Sequence, residues 1–198
     1  MNQWARLDFV RDSLGTAVEA VAGPYGVRTR KFAHLDVGLW VDRFLAIESS
    51  GWKGSAGSAL AVDAVTARFF RDVVEGADAA GCCAMTALEV GGQTIAMSVH
   101  LLGQSHGFGF KKCYDEGFAT YAPGLLLLED VTRELSAHDG LLFDSCSAPD
   151  QASVNGLWRE RRTVVDLCVG LGGGGRRLRY RAAMAARSAW HWVKKLRT

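Results

Sequence analysis

The stretch 84–135 reads AMTALEVGGQTIAMSVHLLGQSHGFGFKKCYDEGFATYAPGLLLLEDVTREL. Its changes of period decide the fold. Thr86, Leu88 and Val90 alternate with smaller or polar neighbours, the period of a strand. Gly91-Gly92 separates this run from Ile95, Met97, Val99 and Leu101. A glycine pair between two alternating runs is a hairpin signal. Gly103 to Gly107 is a second turn, and Phe108, Phe110, Lys112 and Tyr114 share one face of a third strand. These three runs predict an antiparallel meander. The period then lengthens. Pro123-Gly124 opens a helix carrying Leu125, Leu128, Val131 and Leu135, and Gly140 ends it.

Downstream, LLFDSC at 141–146 is a short apolar strand, followed by a helix near Ser153 to Arg161 and a strand from Thr163 to Val169. A helix crossing between two strands sets them parallel. Upstream, residues 3–15 form a short helix and Gly23-Pro24 breaks the chain. Val27 to Ala33 alternates as a strand. From Asp36 to Ser49, the residues Val37, Trp40, Val41, Phe44 and Ile47 make a helical stripe. GWKGSAGS at 51–58 is a loop. A longer helix from about Leu60 to Ala80 shows Val62, Val65, Phe69, Val73 and Ala77 on one face, and Gly81 stops it. The fold class is α/β of the α+β type: a mixed, mostly antiparallel central sheet flanked by helices.

The chain has 198 residues, enough for one substantial core. Its 48% hydrophobic and 22% charged residues exclude a disordered chain. No apolar run reaches the ~18 residues of a membrane span. The start, MNQWARLDFVRDSLG, carries acids early, so no secretory signal is expected and the expected location is cytoplasmic. Five cysteines include the adjacent Cys82 and Cys83 and form no C-x-x-C pair, which reads as a reduced protein without a metal site. The net charge of +2 hides an asymmetry: residues 176–198 hold eight Lys or Arg and no acid, so the rest of the chain carries −6. Leu178, Ala182, Ala186, Ala189, Val193 and Leu196 line one face of that tail. It is expected to be an amphipathic basic helix that either meets an anionic surface or simply faces water. The expected organisation is a helical lead-in at 1–25, a body at 26–170, the glycine linker LGGGG at 171–175 and the basic helix at 176–198.

Three segments offer chemistry. In YDEGFATYAPG a strand ends at Tyr114, a loop carries Asp115 and Glu116, and a helix begins at Pro123-Gly124. A helix N-terminus can bind phosphate, although the same residues suit an ordinary strand–turn–helix joint. In FDSCSAPD, Asp144 and Cys146 lie at the carboxyl end of a strand, where α/β sheets bind ligands. Asp144 could be a general base and Cys146 a proton donor, or the segment is a capped strand end. In ESSGWKG, Glu48, Trp52 and Lys53 cluster in a loop. Trp52 could cover a cleft and Lys53 neutralise an anion. His100 and Met97 read as core residues.

The stretches FLAIESSGWKGSAGSAL (44–60), KKCYDEGFATYAPGLLL (111–127) and DSCSAPDQASVNGLWRERR (144–162) resemble the GNAT-superfamily acetyltransferases of the cellulose-biosynthesis type. Those are similar in turn to the Fem-type aminoacyltransferases of peptidoglycan assembly. The resemblance runs collinearly over roughly residues 40–170 and corresponds to the C-terminal half of a two-lobed family architecture. It implies acyl transfer from acetyl-CoA, without a metal, to an amine or hydroxyl. The donor's arm would lie between the fourth and fifth strands, at Phe110 to Tyr114 and Leu142 to Cys146. Its pyrophosphate would sit on the amides from Tyr121 to Leu126, so Tyr114, Tyr121, Ala122, Gly124, Leu125 and Leu126 are the implied donor site. Glu116, Asp115 or Asp144 would take the acceptor proton, and Glu48, Trp52 and Lys53 would hold the acceptor.

The sequence departs from the family pattern at several of these positions. Tyr121 stands where the common phosphate signature has Gln or Arg, Leu126 where it has a small residue, and Ala122 where Ser is usual. Trp158 is the aromatic residue near the place of the Tyr that often serves as general acid. The implied acceptor is a small molecule, a saccharide or a cell-envelope precursor. Implied partners are a second GNAT-like lobe or a second copy; nucleic acid is not expected. Two other classes stay open: a non-catalytic interaction module, and a Fem-like aminoacyltransferase.

Overall fold

A computed structural model describes residues 27–31, 36–137, 140–165, 167, 169 and 175–195. Its sheet runs β1 Val27–Lys31, β2 Cys83–Val90, β3 Gln93–Leu102, β4 His106–Tyr114 and β5 Leu142–Asp144, in that spatial order. Neighbours from β1 to β4 pair antiparallel, and β5 joins β4 parallel. The helices are α1 Val37–Ser50, α2 Ala64–Ala79, α3 Pro123–Leu135, α4 Ala152–Leu157 and α5 Gly175–Lys195. Two compact units divide between Arg159 and Glu160, and α5 belongs to the second. The expected mixed α/β sheet flanked by helices is the architecture observed.

The β2–β3 hairpin closes at Gly91 and Gly92, whose φ angles of 56° and 83° are the left-handed pair a two-residue turn needs. Both faces of β2 and β3 are covered. On one face Trp40, Val41 and Phe44 of α1 and Phe70 and Val74 of α2 pack on Met85, Ala87, Met97 and Val99. On the other, Leu126 and Leu127 of α3 pack on Leu88, Val90 and Ala96. The neighbours Met85 and Ala87, which alternate with Thr86, Leu88 and Val90, thus form a second buried face.

Several expectations are corrected. The long helix starts at Ala64, not near Leu60, because Leu60–Val62 is a separate 3-10 turn and the Asp63 side chain caps the amide of Val65 at 3.1 Å. The buried face of this helix also differs from the expected one. Phe70 and Val74 are buried, whereas Val65 and Phe69 are 74% and 59% exposed. Phe70 packs on Phe44 and Phe110, with ring centroids 4.8 and 5.9 Å apart. In β4 the register shifts opposite Val99 and His100. This bulge puts Phe110 with the α1–α2 core, while Tyr114 packs on the α3 side, so the four residues expected on one face are split.

Residues 52–55 form a helical turn rather than loop. α3 ends at Leu135, capped at Ser136, before Gly140 is reached. α4 ends at Leu157, short of Arg161. The strand expected from Thr163 to Val169 is absent among the described residues. Val164, Val165, Leu167 and Val169 are exposed, and a lone run without a partner edge has no ladder to join. Gly175 belongs to α5 rather than to a linker. The expected helix at 3–15, the Gly23-Pro24 break and residues 171–174 lie outside the described residues.

Candidate active-site cleft

β4 and β5 run together for only three residue pairs, ending at Phe108 and Asp144. At the next position a Cβ on Gly109 would lie 2.7 Å from Ser145 O, so only glycine lets the two backbones come this close before they part. A cleft of about 670 Å³ opens beyond that point. Its walls come from β4, the N-terminal half of α3, the chain after β5, and the α1–α2 connection.

The 3-10 turn Glu116–Tyr121 brings the chain from β4 to α3, and Ala122 makes the joint with φ 47° and ψ 51°. A side chain in this left-handed region is strained. Ala122 and Cys146 are the two non-glycine residues with positive φ among the described residues, and both line the cleft. Backbone strain concentrated on one cleft is a feature of functional sites. The Ala122 carbonyl accepts from the amides of Leu125 and Leu126 at 2.8 and 3.2 Å. The Ala122 amide is spent on Ala119 O, and Pro123 has none. Among the described residues this leaves Gly124 as the amide without a backbone partner at the helix start. The anion site expected over Tyr121 to Leu126 therefore narrows to one amide.

On the opposite wall, the buried Glu48 carboxylate ties three segments together. One oxygen accepts from Lys53 Nζ at 2.6 Å and the other from the Leu60 amide at 2.9 Å. Lys53 Nζ also reaches Lys112 O at 3.4 Å. Packing around the Lys112 amine, with the Lys53 charge nearby, pushes its pKa down. Burial and the Glu48 charge push the Cys113 thiol up, so it stays protonated. Trp52, 57% exposed, stands at the edge of this wall.

Of the residues singled out from sequence, Glu48, Trp52, Lys53, Tyr114, Ala122, Gly124, Leu125 and Cys146 line one cleft. Leu126 is a fully buried core residue, and Tyr121 packs beside it. The three carboxylates do not line the cleft. Asp115 accepts from the Gly117 amide at 2.9 Å and from Gln93 Nε2 at 3.1 Å. Glu116 accepts from the Trp52 amide at 2.6 Å, fixing the turn that carries Trp52 and Lys53. Asp144 accepts from the Cys146 amide at 2.8 Å. Sequence reasoning missed Ser98 and His100, which line the cleft. Two polar residues at strand spacing in an otherwise apolar run were the available signal. Trp158 also lines it, but its Nε1 donates to Thr132 Oγ1 at 2.8 Å. Among the described residues no group of three or more His, Cys, Asp or Glu is placed to hold a metal, and no helix is long and apolar enough to cross a membrane.

A sheet that parts after its fourth strand, with a helix N-terminus at the opening, defines a class. The chain belongs to the acetyltransferase (GNAT) domain family, which matches residues 17–151. It is an acetyltransferase, and that family draws its acetyl group from acetyl-CoA. The fold is similar to a GCN5-related N-acetyltransferase from Ralstonia eutropha JMP134, with a TM-score of 0.53 and 17% identity over 75% of this chain and 100% of that one. It is also similar to a protein of Clostridium difficile 630 described as "a possible acetyltransferase". There the TM-score is 0.51 and the identity 8%, over 72% of this chain and 97% of that one. No curated protein matches by sequence.

Proposed function

We propose that this chain carries an acetyl group from acetyl-CoA directly to an amine or hydroxyl of a saccharide or cell-envelope precursor. The observation that carries the donor reading is the cleft where β4 and β5 part, ended by the Gly124 amide at the N-terminus of α3. An unbonded amide at a helix start favours a phosphate, and Tyr114 and Leu125 flank it. The wall of Glu48, Lys53 and Trp52 would place the acceptor, with Trp52 offering an apolar face to a sugar ring. The acceptor heteroatom bonds to the thioester carbonyl carbon, the C–S bond breaks, and the acceptor's proton ends on the leaving sulfur. No covalent enzyme intermediate is needed. The three stretches similar to cellulose-biosynthesis acetyltransferases support the acceptor class. We also propose that the basic helix meets an anionic surface.

A thermal melt with acetyl-CoA tests the donor reading. Saturation at about a hundred times Kd adds about 2.7 kcal/mol, several degrees in Tm for a chain of this size. No shift at millimolar acetyl-CoA overturns it. Gly124→Val should weaken acetyl-CoA binding at least tenfold, by about 1.4 kcal/mol or more, while the unliganded protein still melts cooperatively.

A further inference from the structure

Strand β3 carries a polar pair that the donor reading leaves unused. Ser98 and His100 lie two residues apart and both line the cleft. His100 is 8% exposed. Its Nε2 is 3.0 Å from Ser98 Oγ, while its Nδ1 has no hydrogen-bond partner. The ring is held edge-on by Phe143 at a centroid distance of 5.3 Å, and Trp158 braces Phe143 in the same way at 5.4 Å. A buried ring nitrogen left unpaired is costly and demands an explanation. His100 is among the residues that line the cleft, so a ligand drawn into it can supply the partner that Nδ1 lacks.

The position is specific. His100 pairs with Gly109, the residue at which β5 leaves β4. It therefore stands at the inner end of the opening, across from the end marked by Gly124. We propose that His100 is the proton carrier of acetyl transfer, taking the acceptor's proton on Nδ1; this rests on the donor reading above. With Nε2–H donated to Ser98 Oγ, the Nδ1 lone pair is free. As the acceptor heteroatom bonds to the carbonyl carbon, its proton passes to Nδ1. As the C–S bond breaks, that proton passes from Nδ1 to sulfur. The imidazole ends as it began, and nothing else is consumed. The charges that act on the ring are Glu134 from α3, which raises its pKa, and Lys112 from β4, which lowers it. Burial outweighs both and keeps the ring neutral, the form that can accept a proton.

The test uses the full chain with isotope-labelled histidine, titrated with acetyl-CoA and read by NMR at the ring nitrogens. His100 Nδ1 should be unprotonated in the free protein and should shift on saturation. The chemical readout is thiol released from acetyl-CoA in water alone, with water in the acceptor's place. His100→Gln and His100→Asn should slow enzyme-dependent release by about 100-fold while acetyl-CoA affinity stays within about threefold. An Nδ1 that is protonated or unmoved by bound acetyl-CoA overturns the proposal and leaves the donor reading intact. So do equal release rates from wild type and variants, including none from either. Failure of the wild type to bind acetyl-CoA overturns both.

Discussion

At the scale of single residues, His100 also sets a pH limit on the fold. Burial pushes its pKa from the ordinary 6.5 down to about 4. Between those values the unfolded chain binds the proton and the folded chain does not. Stability is therefore fully present above the unfolded value and falls as pH drops toward the folded one, by about 3 kcal/mol across the whole window. His100→Gln should remove most of that slope, seen as urea midpoints that change less between about pH 7 and about pH 4.5 than those of wild type. Gly54 makes a different demand. A Cβ there would lie 1.8 Å from Ser49 O. Gly54→Ala must push the turn off the end of α1, which should lower stability by about 1–3 kcal/mol or more and draw Lys53 away from Glu48. Urea melts read the first effect. Glu48, Trp52 and Lys53 were legible in the sequence because residues five apart stay neighbours in a tight turn. Asp115 and Asp144 fall outside the cleft lining because acids at loop starts are captured by nearby amides. His100 reads as core from its apolar strand and is indeed buried, while the cleft beside it depends on the departure of β5, a distant strand, and so is not legible locally.

At the scale of elements, the meander and α3 could be read from period and punctuation, since hairpins and helix starts are set by local chemistry. Phase could not. The true face of α2 depends on the rings of Phe44 and Phe110, which meet Phe70 from other elements. Adjacent substitutions measure this directly. Phe70→Ala should cost about 3–5 kcal/mol by leaving a cavity under fully buried neighbours. Phe69→Ala, on a side chain 59% exposed, should stay within about 0.5 kcal/mol. Denaturant midpoints with an unchanged slope would show it. A reversal of the two costs would return α2 to the face expected from its sequence. The bulge in β4 is equally nonlocal. Phe110 is the extra residue of β4, and the neighbouring Gly109 is the one local sign of it.

At the scale of the whole molecule, the architecture was legible because β2 and β3 bury both faces against helices, so their period is written in apolar residues. The stretch 163–169 has such a period and forms no strand among its described residues, since ladder bonds need a neighbouring edge and not only the right residues. Charge is the other property of the whole. The +2 total divides into −6 for residues 1–175 and +8 for the tail. These opposite signs give a definite expectation for an anionic surface: attraction to the tail, opposed by the body. Near such a surface each Lys or Arg contributes about 1 kcal/mol, and the attraction weakens over a Debye length of about 10 Å at 0.1 M salt. The full chain should therefore bind phosphatidylglycerol vesicles at low salt, release them as salt rises, and ignore phosphatidylcholine vesicles. Replacing Arg176, Arg177, Arg179 and Arg181 together by Gln removes about 4 kcal/mol of that attraction, close to a thousandfold in affinity. Vesicle sedimentation across a salt series checks this. Unchanged binding by the fourfold variant would place the contact on the body, against its charge, and take the tail out of the account.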